Sequence, residues 1–149
     1  MSTPTQSEIR LRNAGMLDKI RADAPKPHEE GRYVLRALTV PGRSSGLPHT
    51  VPMAVVQLDG LRYICAPDRQ RDWVRNLLTA GRCELEGEPS AEHRVTLVED
   101  GDAARAVHTY LAAMGRPSTA WPFPSDAAPH VIEQHTSTIA VFRIEAHKA

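Results

Sequence analysis

The sequence predicts a mainly β, α+β fold: a small antiparallel barrel of about six strands with short helices inserted between the hairpins. Three observations point there. Short β-branched and aliphatic runs recur along the chain, two of them meet at Asp59-Gly60, and every helical pattern between them is brief. A length of 149 residues, 41% hydrophobic and 24% charged, fits one globular domain over residues 1–149.

In chain order, residues 7–22 space Ile9, Leu11, Met16, Leu17 and Ile20 as a modest amphipathic helix, with Ser7 the expected N-cap. Residues 23–31 hold two prolines and no periodicity, and read as a linker. Strands are expected at 33–40, 50–58 and 61–66, the last two joined as a hairpin by Asp59-Gly60. Trp73, Val74, Leu77 and Leu78 then mark a short helix over 71–80, stopped by Gly81. Two strands at 83–87 and 94–98 precede a second helix, 101–114, with Ala104, Val107, Leu111 and Met114 on one face. Four prolines between 115 and 130 exclude a regular element. The last strand, 138–144, sets Ile139, Val141 and Arg143 on one side and Ala140, Phe142 and Ile144 on the other.

Composition narrows the function. Eighteen basic residues balance eighteen acidic ones, so no overall field draws the chain to nucleic acid or an anionic membrane, and a small apolar molecule is the expected partner. The basic character sits early, eight against five acidic residues in the first fifty and ten against thirteen in the rest. No stretch approaches the roughly 18 residues of a membrane span, and the first residues have no apolar leader core, so a cytoplasmic protein is expected. Cys65 and Cys83 belong to no CxxC pattern and read as buried, reduced thiols. The seven histidines have no HExxH or HxH spacing, so no metal site is expected.

The segment from Val40 to Met53 has the densest chemistry. Gly42 and Gly46 let the backbone turn sharply, while Arg43, Ser44 and Ser45 offer a guanidinium fork, hydroxyls and N–H groups to an oxyanion. On residues alone, a solvated hairpin loop explains the same composition. Trp73 likewise reads both as a helix anchor on the barrel and as a stacking surface. Trp121 and Phe123, set among prolines, read equally as a lid over an apolar substrate or as a barrel plug.

A GRxSGxPxxxP loop made by Gly42, Arg43, Ser45, Gly46, Pro48 and Pro52, followed after a hairpin by Trp73, Asn76 and Leu77, resembles the deazaflavin (F-420)-dependent nitroreductase family. That resemblance runs from about Tyr33 to Ile144 and implies a split β-barrel of the FMN-binding type, often a homodimer. It implies an oxidoreductase that transfers a hydride from reduced deazaflavin to an apolar conjugated carbonyl, quinone or nitro compound. Carried over by position, it assigns Gly42, Arg43, Ser44, Ser45, His49, Pro52 and Met53 to the coenzyme's phosphate and acidic tail. Arg69, Arg71, Trp73 and Asn76 fall beside its ring. Trp121 and Phe123 become the substrate wall, and His130, where the family shows tyrosines, becomes the proton donor. The chain departs from the pattern where Ser44 and His49 replace two basic residues. Two alternatives therefore stand beside this reading: an FMN-binding reductase on the same barrel, or a cofactor-free barrel that binds or rearranges a hydrophobic metabolite.

Overall fold

The computed structural model describes residues 5–147. Among them, strands β1 (Tyr33–Pro41), β2 (Pro48–Leu58), β3 (Leu61–Ala66), β4 (Arg82–Leu85), β5 (Glu92–Leu97) and β6 (Ala140–Ala146) close into a barrel in the order β1-β2-β3-β6-β5-β4. Every neighbouring pair is antiparallel. The sheet closes where β1 meets β4, through Leu38 opposite Leu85 and Thr39 opposite Glu84. The helices are α1 (Gln6–Ala22), α2 (Asp72–Ala80), α3 (Gly101–Met114) and α4 (Pro129–Ile132), the last running into a 3-10 turn at Glu133–His135.

Local chemistry accounts for these elements. Asp59 and Gly60 both have positive φ, 54° and 75°, the pair of conformations a type I′ hairpin requires. The Glu30 carboxylate caps that turn by accepting the Asp59 and Gly60 N–H groups, which also hold it below the usual carboxylate range. Gly81, at φ 68°, ends α2 and returns its N–H to the Leu77 carbonyl. Helix α1 is capped two residues earlier than expected. Its N-cap is Thr5, not Ser7, because Glu8 lies three residues beyond Thr5 and completes a reciprocal capping box. Its apolar stripe is also weaker than expected: Leu17 is buried, whereas Leu11 is 74% exposed.

Strand alternation divides the core into two layers. Ala140, Phe142 and Ile144 point into the barrel with Leu38, Val55 and Ile64, while Ile139 and Val141 point outward beneath α3. Helix α2 sends Val74 and Leu77 into the inner layer, and α3 covers the outer layer with Val107, Leu111 and three alanines. The loop 115–128 is irregular, as its prolines dictate; Pro129 instead opens the short α4, where a missing N–H costs nothing.

An ion cluster plugs the barrel end near the linker. Arg36, only 3% exposed, donates from Nε to Glu88 at 3.2 Å and from Nη2 to the Lys26 carbonyl at 2.6 Å. His28 meets the same carboxylate at 2.5 Å and Arg62 approaches it at 3.7 Å. Burial pushes the His28 pKa down, only partly offset by Glu88, so the neutral ring donates to the carboxylate. Burial alone would raise Glu88, but His28 and Arg36 outweigh it and hold the group below the usual carboxylate range. Both groups thus bind more protons unfolded than folded. Their contribution is complete above the ordinary histidine range near about pH 6.5 and declines as pH falls through it and then through the carboxylate range. Glu88→Ala, which leaves Arg36 buried and unpaired, is expected to lower the unfolding free energy by about 3 kcal/mol in urea titrations near neutral pH. His28→Gln should flatten the loss of stability between about pH 7 and pH 5.

Candidate functional site

A cleft of about 270 Å³ opens between the start of α2, the end of α3 and the 115–121 loop. Pro52, Met53 and Ala54 of β2 and Cys65 of β3 form its floor; Arg71 and Trp73 stand on one side, Tyr110, Met114 and Trp121 on the other. Five residues singled out in the sequence, Pro52, Met53, Arg71, Trp73 and Trp121, therefore meet in one place. Trp73 serves both readings given to it, since it packs against the inner core and still faces the cleft. Arg71 occupies the N-cap position of α2 and is exposed; among the described residues it has no ion-pair partner. It is the one cation in the wall and sits where the helix dipole also favours an anion.

The glycine loop is organised differently. Arg43 donates its backbone N–H to Asn76 Oδ1 at 3.1 Å and its Nη1 to the same oxygen at 2.8 Å. Its Nη2 reaches Asp72 Oδ1 at 3.2 Å, so the guanidinium is engaged by α2. Asn76, 6% exposed, is the receiving end of that clamp. Gly42 sits against two exposed side chains: a Cβ there would lie 2.7 Å from His49 Nε2 and 2.9 Å from Ser45 Oγ, so those ends would have to move aside. Ser45 Oγ accepts the Leu47 N–H at 3.1 Å, and Ser44 is exposed. None of Gly42, Arg43, Ser44, Ser45, His49 or Asn76 lines the cleft. Arg69 lies outside it too, and ties the chain ahead of α2 to the segment before β6 through the Ile139 and Thr136 carbonyls and Glu99.

On the far wall, Trp121 is 8% exposed and reaches the cleft, whereas Phe123 is buried behind it, ring centroids 5.7 Å apart. His130 is exposed on α4 and does not line the cleft. Sequence reading passed over Tyr110. Its ring lies 5.7 Å from that of Tyr33 and 6.4 Å from Trp121, and burial, reinforced by Cys65 and Tyr33, pushes its phenol up to about 12. The signal was present, for Tyr110 falls on the Val107–Met114 face at helical spacing. Cys65 and Cys83 are free; burial drives both thiols upward, Cys83 to about 12, so neither is a ready thiolate.

No family model matches the chain, and no curated protein matches it by sequence. By shape it is similar to a structure described as a domain-swapped dimer, with TM-score 0.54 and 16% identity over 91% of this chain and 92% of that one. A structure described as an F420-H2 dependent reductase gives TM-score 0.48 and 16% identity over 80% of this chain and 99% of that one. A heme binding protein from Mycobacterium smegmatis gives 0.47 and 17% over 99% of this chain and 53% of that one. The closed six-strand order and the first of these likenesses establish the fold: the chain is a split barrel with short helices, as its sequence resemblance implied.

Proposed function

We propose that the cleft beside Trp73 receives the ring of a deazaflavin coenzyme, and that the protein is a reductase acting on an apolar conjugated carbonyl, quinone or nitro compound. The observation that carries this reading is the convergence of Arg71 and Trp73 with Trp121 and Tyr110 around one cleft. The residues fit the group in part. Aromatic and aliphatic walls suit a planar ring, and Arg71 with the α2 N-terminus suits one anionic group. A cleft of about 270 Å³ holds a ring but leaves any long tail outside. The structure described as an F420-H2 dependent reductase supports the reading by name. A homodimer is part of it, by analogy with the domain-swapped dimer.

When bound, reduced deazaflavin supplies a hydride from its C5 position. The chain's own part is to orient, to exclude water and to supply a proton. Trp73 and Trp121 narrow the cleft from opposite sides. His130 stands outside the wall, so the proton falls to the Tyr110 hydroxyl, which its raised pKa keeps protonated across the physiological range.

A second reading is favoured by one observation. Because Asp72 and Asn76 already occupy Arg43, the loop offers little charge to a phosphate, as a cofactor-free barrel for an apolar metabolite would. Titration with deazaflavin coenzyme and with FMN, followed by fluorescence, separates the possibilities. Saturation by the deazaflavin alone supports the reductase, saturation by FMN replaces it with a flavin enzyme, and no saturation by either leaves the metabolite-binding barrel.

Two variants sharpen the test. Arg71→Ala is expected to weaken coenzyme binding about tenfold, whereas Arg43→Ala should chiefly lower the unfolding free energy, by about 1 kcal/mol, as the guanidinium's bonds to Asn76 and Asp72 are lost while the backbone N–H bond to Asn76 remains. Tyr110→Phe should lower kcat by about a hundredfold with coenzyme affinity unchanged, as measured by steady-state kinetics beside the fluorescence titration.

A further inference from the structure

A larger cleft, of about 770 Å³, lies under α1, between that helix, the linker 23–31, β1 and the turn after β4. It shares no lining residue with the cleft beside Trp73. Its walls are fixed at three points. Arg21 makes two bonds to the Glu86 carboxylate, at 3.0 and 2.6 Å. Arg36 holds the Lys26 carbonyl from the barrel side. Gly87, at φ 89°, lets Pro25 approach so closely that a Cβ there would sit 3.1 Å from its ring carbons. The C-terminal end of α1 and the linker that follows it are thus fixed to β1 and the turn after β4, and the space beside them is preformed.

The lining has two characters. Leu35 and Met16, 40% and 38% exposed, join Val34 and Ile20 as an apolar floor. Above it stand Lys19, Lys26 and Arg32, all exposed and, among the described residues, without an ion-pair partner. Arg21 and Arg36 are already neutralised by Glu86 and Glu88, which leaves Asp23 as the one uncommitted carboxylate in the wall. A neutral ligand would leave a net excess of positive charge over Asp23 in the wall, and a small inorganic anion would leave Leu35 and Met16 in water. We propose that this cleft is a second ligand site, taking an organic anion with an apolar body. It stands apart from the reductase reading, and its test requires no redox coenzyme.

Decanoate is the probe, titrated into the full chain by calorimetry. The expected result is one saturable site with a dissociation constant below about 1 mM. Lys26→Glu with Arg32→Glu should weaken it by about tenfold or more, and Leu35→Asp likewise, since one removes the counter-charge and the other the apolar floor. All three positions are exposed, so thermal melting should confirm intact folding. Arg71→Glu, at the other cleft, should leave decanoate affinity unchanged. The proposal is overturned if decanoate does not saturate, if the double charge reversal leaves its affinity intact, or if Arg71→Glu weakens it as much as the double variant does.

Discussion

Two residue pairs, Leu38 with Leu85 and Thr39 with Glu84, are a short seam for closing a six-stranded sheet, and the organisation of the rest follows from how that seam is reinforced. One further ladder bond, from the Glu86 N–H to the Ala37 carbonyl at 3.0 Å, extends it by a step. Beyond that, side chains take over at both ends. Where β1 begins, Arg36 reaches Glu88 in the turn after β4. Where β1 has ended, Arg43 reaches Asn76 and Asp72 on α2, the helix that leads through Gly81 directly into β4. Each clamp pairs a β1-side guanidinium with a group on the β4 side. Val74 and Leu77, inside the barrel, hold α2 against the same seam.

This use of arginines determines what charge is left for a ligand. A guanidinium with two partners on α2 must lose them before it can serve an anion, and the exchange gives up the bonds to Asn76 and Asp72 for the new one. Arg71, one turn earlier in the same neighbourhood, has no such commitment. Closure therefore engages Arg43, just after β1, and leaves Arg71, at the start of α2, uncommitted, while the loop with the most phosphate-like composition is not the wall of the cleft.

The parts legible in the sequence are those set by local chemistry. Asp59-Gly60, Gly81 and the alternation of Ile139 to Ile144 each act within a few residues, and each fixes a turn, a helix end or a choice of face. Thr5 and Glu8 were legible on the same basis, since a threonine followed three residues later by a glutamate is a capping box; Ser7 lacks that partner. Arg43 was readable as a cation but not as a spent one, because Asp72 and Asn76 lie 29 and 33 residues away. The same distance problem hides His28, Arg36 and Glu88, which only the closed barrel brings together. For Trp121 and Phe123, a loop rich in proline gives no period from which to choose a face, so only tertiary packing assigns one to the cleft and the other to the layer behind it.

The two clefts are neighbours despite having separate linings. Leu35 borders the larger and its cross-strand partner Ala54 the smaller, while Ala113 and Met114, adjacent on α3, divide between them. Between the clefts stands the edge-to-face pair Tyr33 and Tyr110, with centroids 5.7 Å apart. An aromatic pair of this kind is worth about 0.5–1.5 kcal/mol beyond its buried area, which bounds any coupling it can transmit. Converted to affinity, that is at most about a tenfold effect of one ligand on the other, equal in both directions. Tyr110 also lines the smaller cleft, so a displacement of Tyr33 reaches that cleft through the residue proposed as its proton donor.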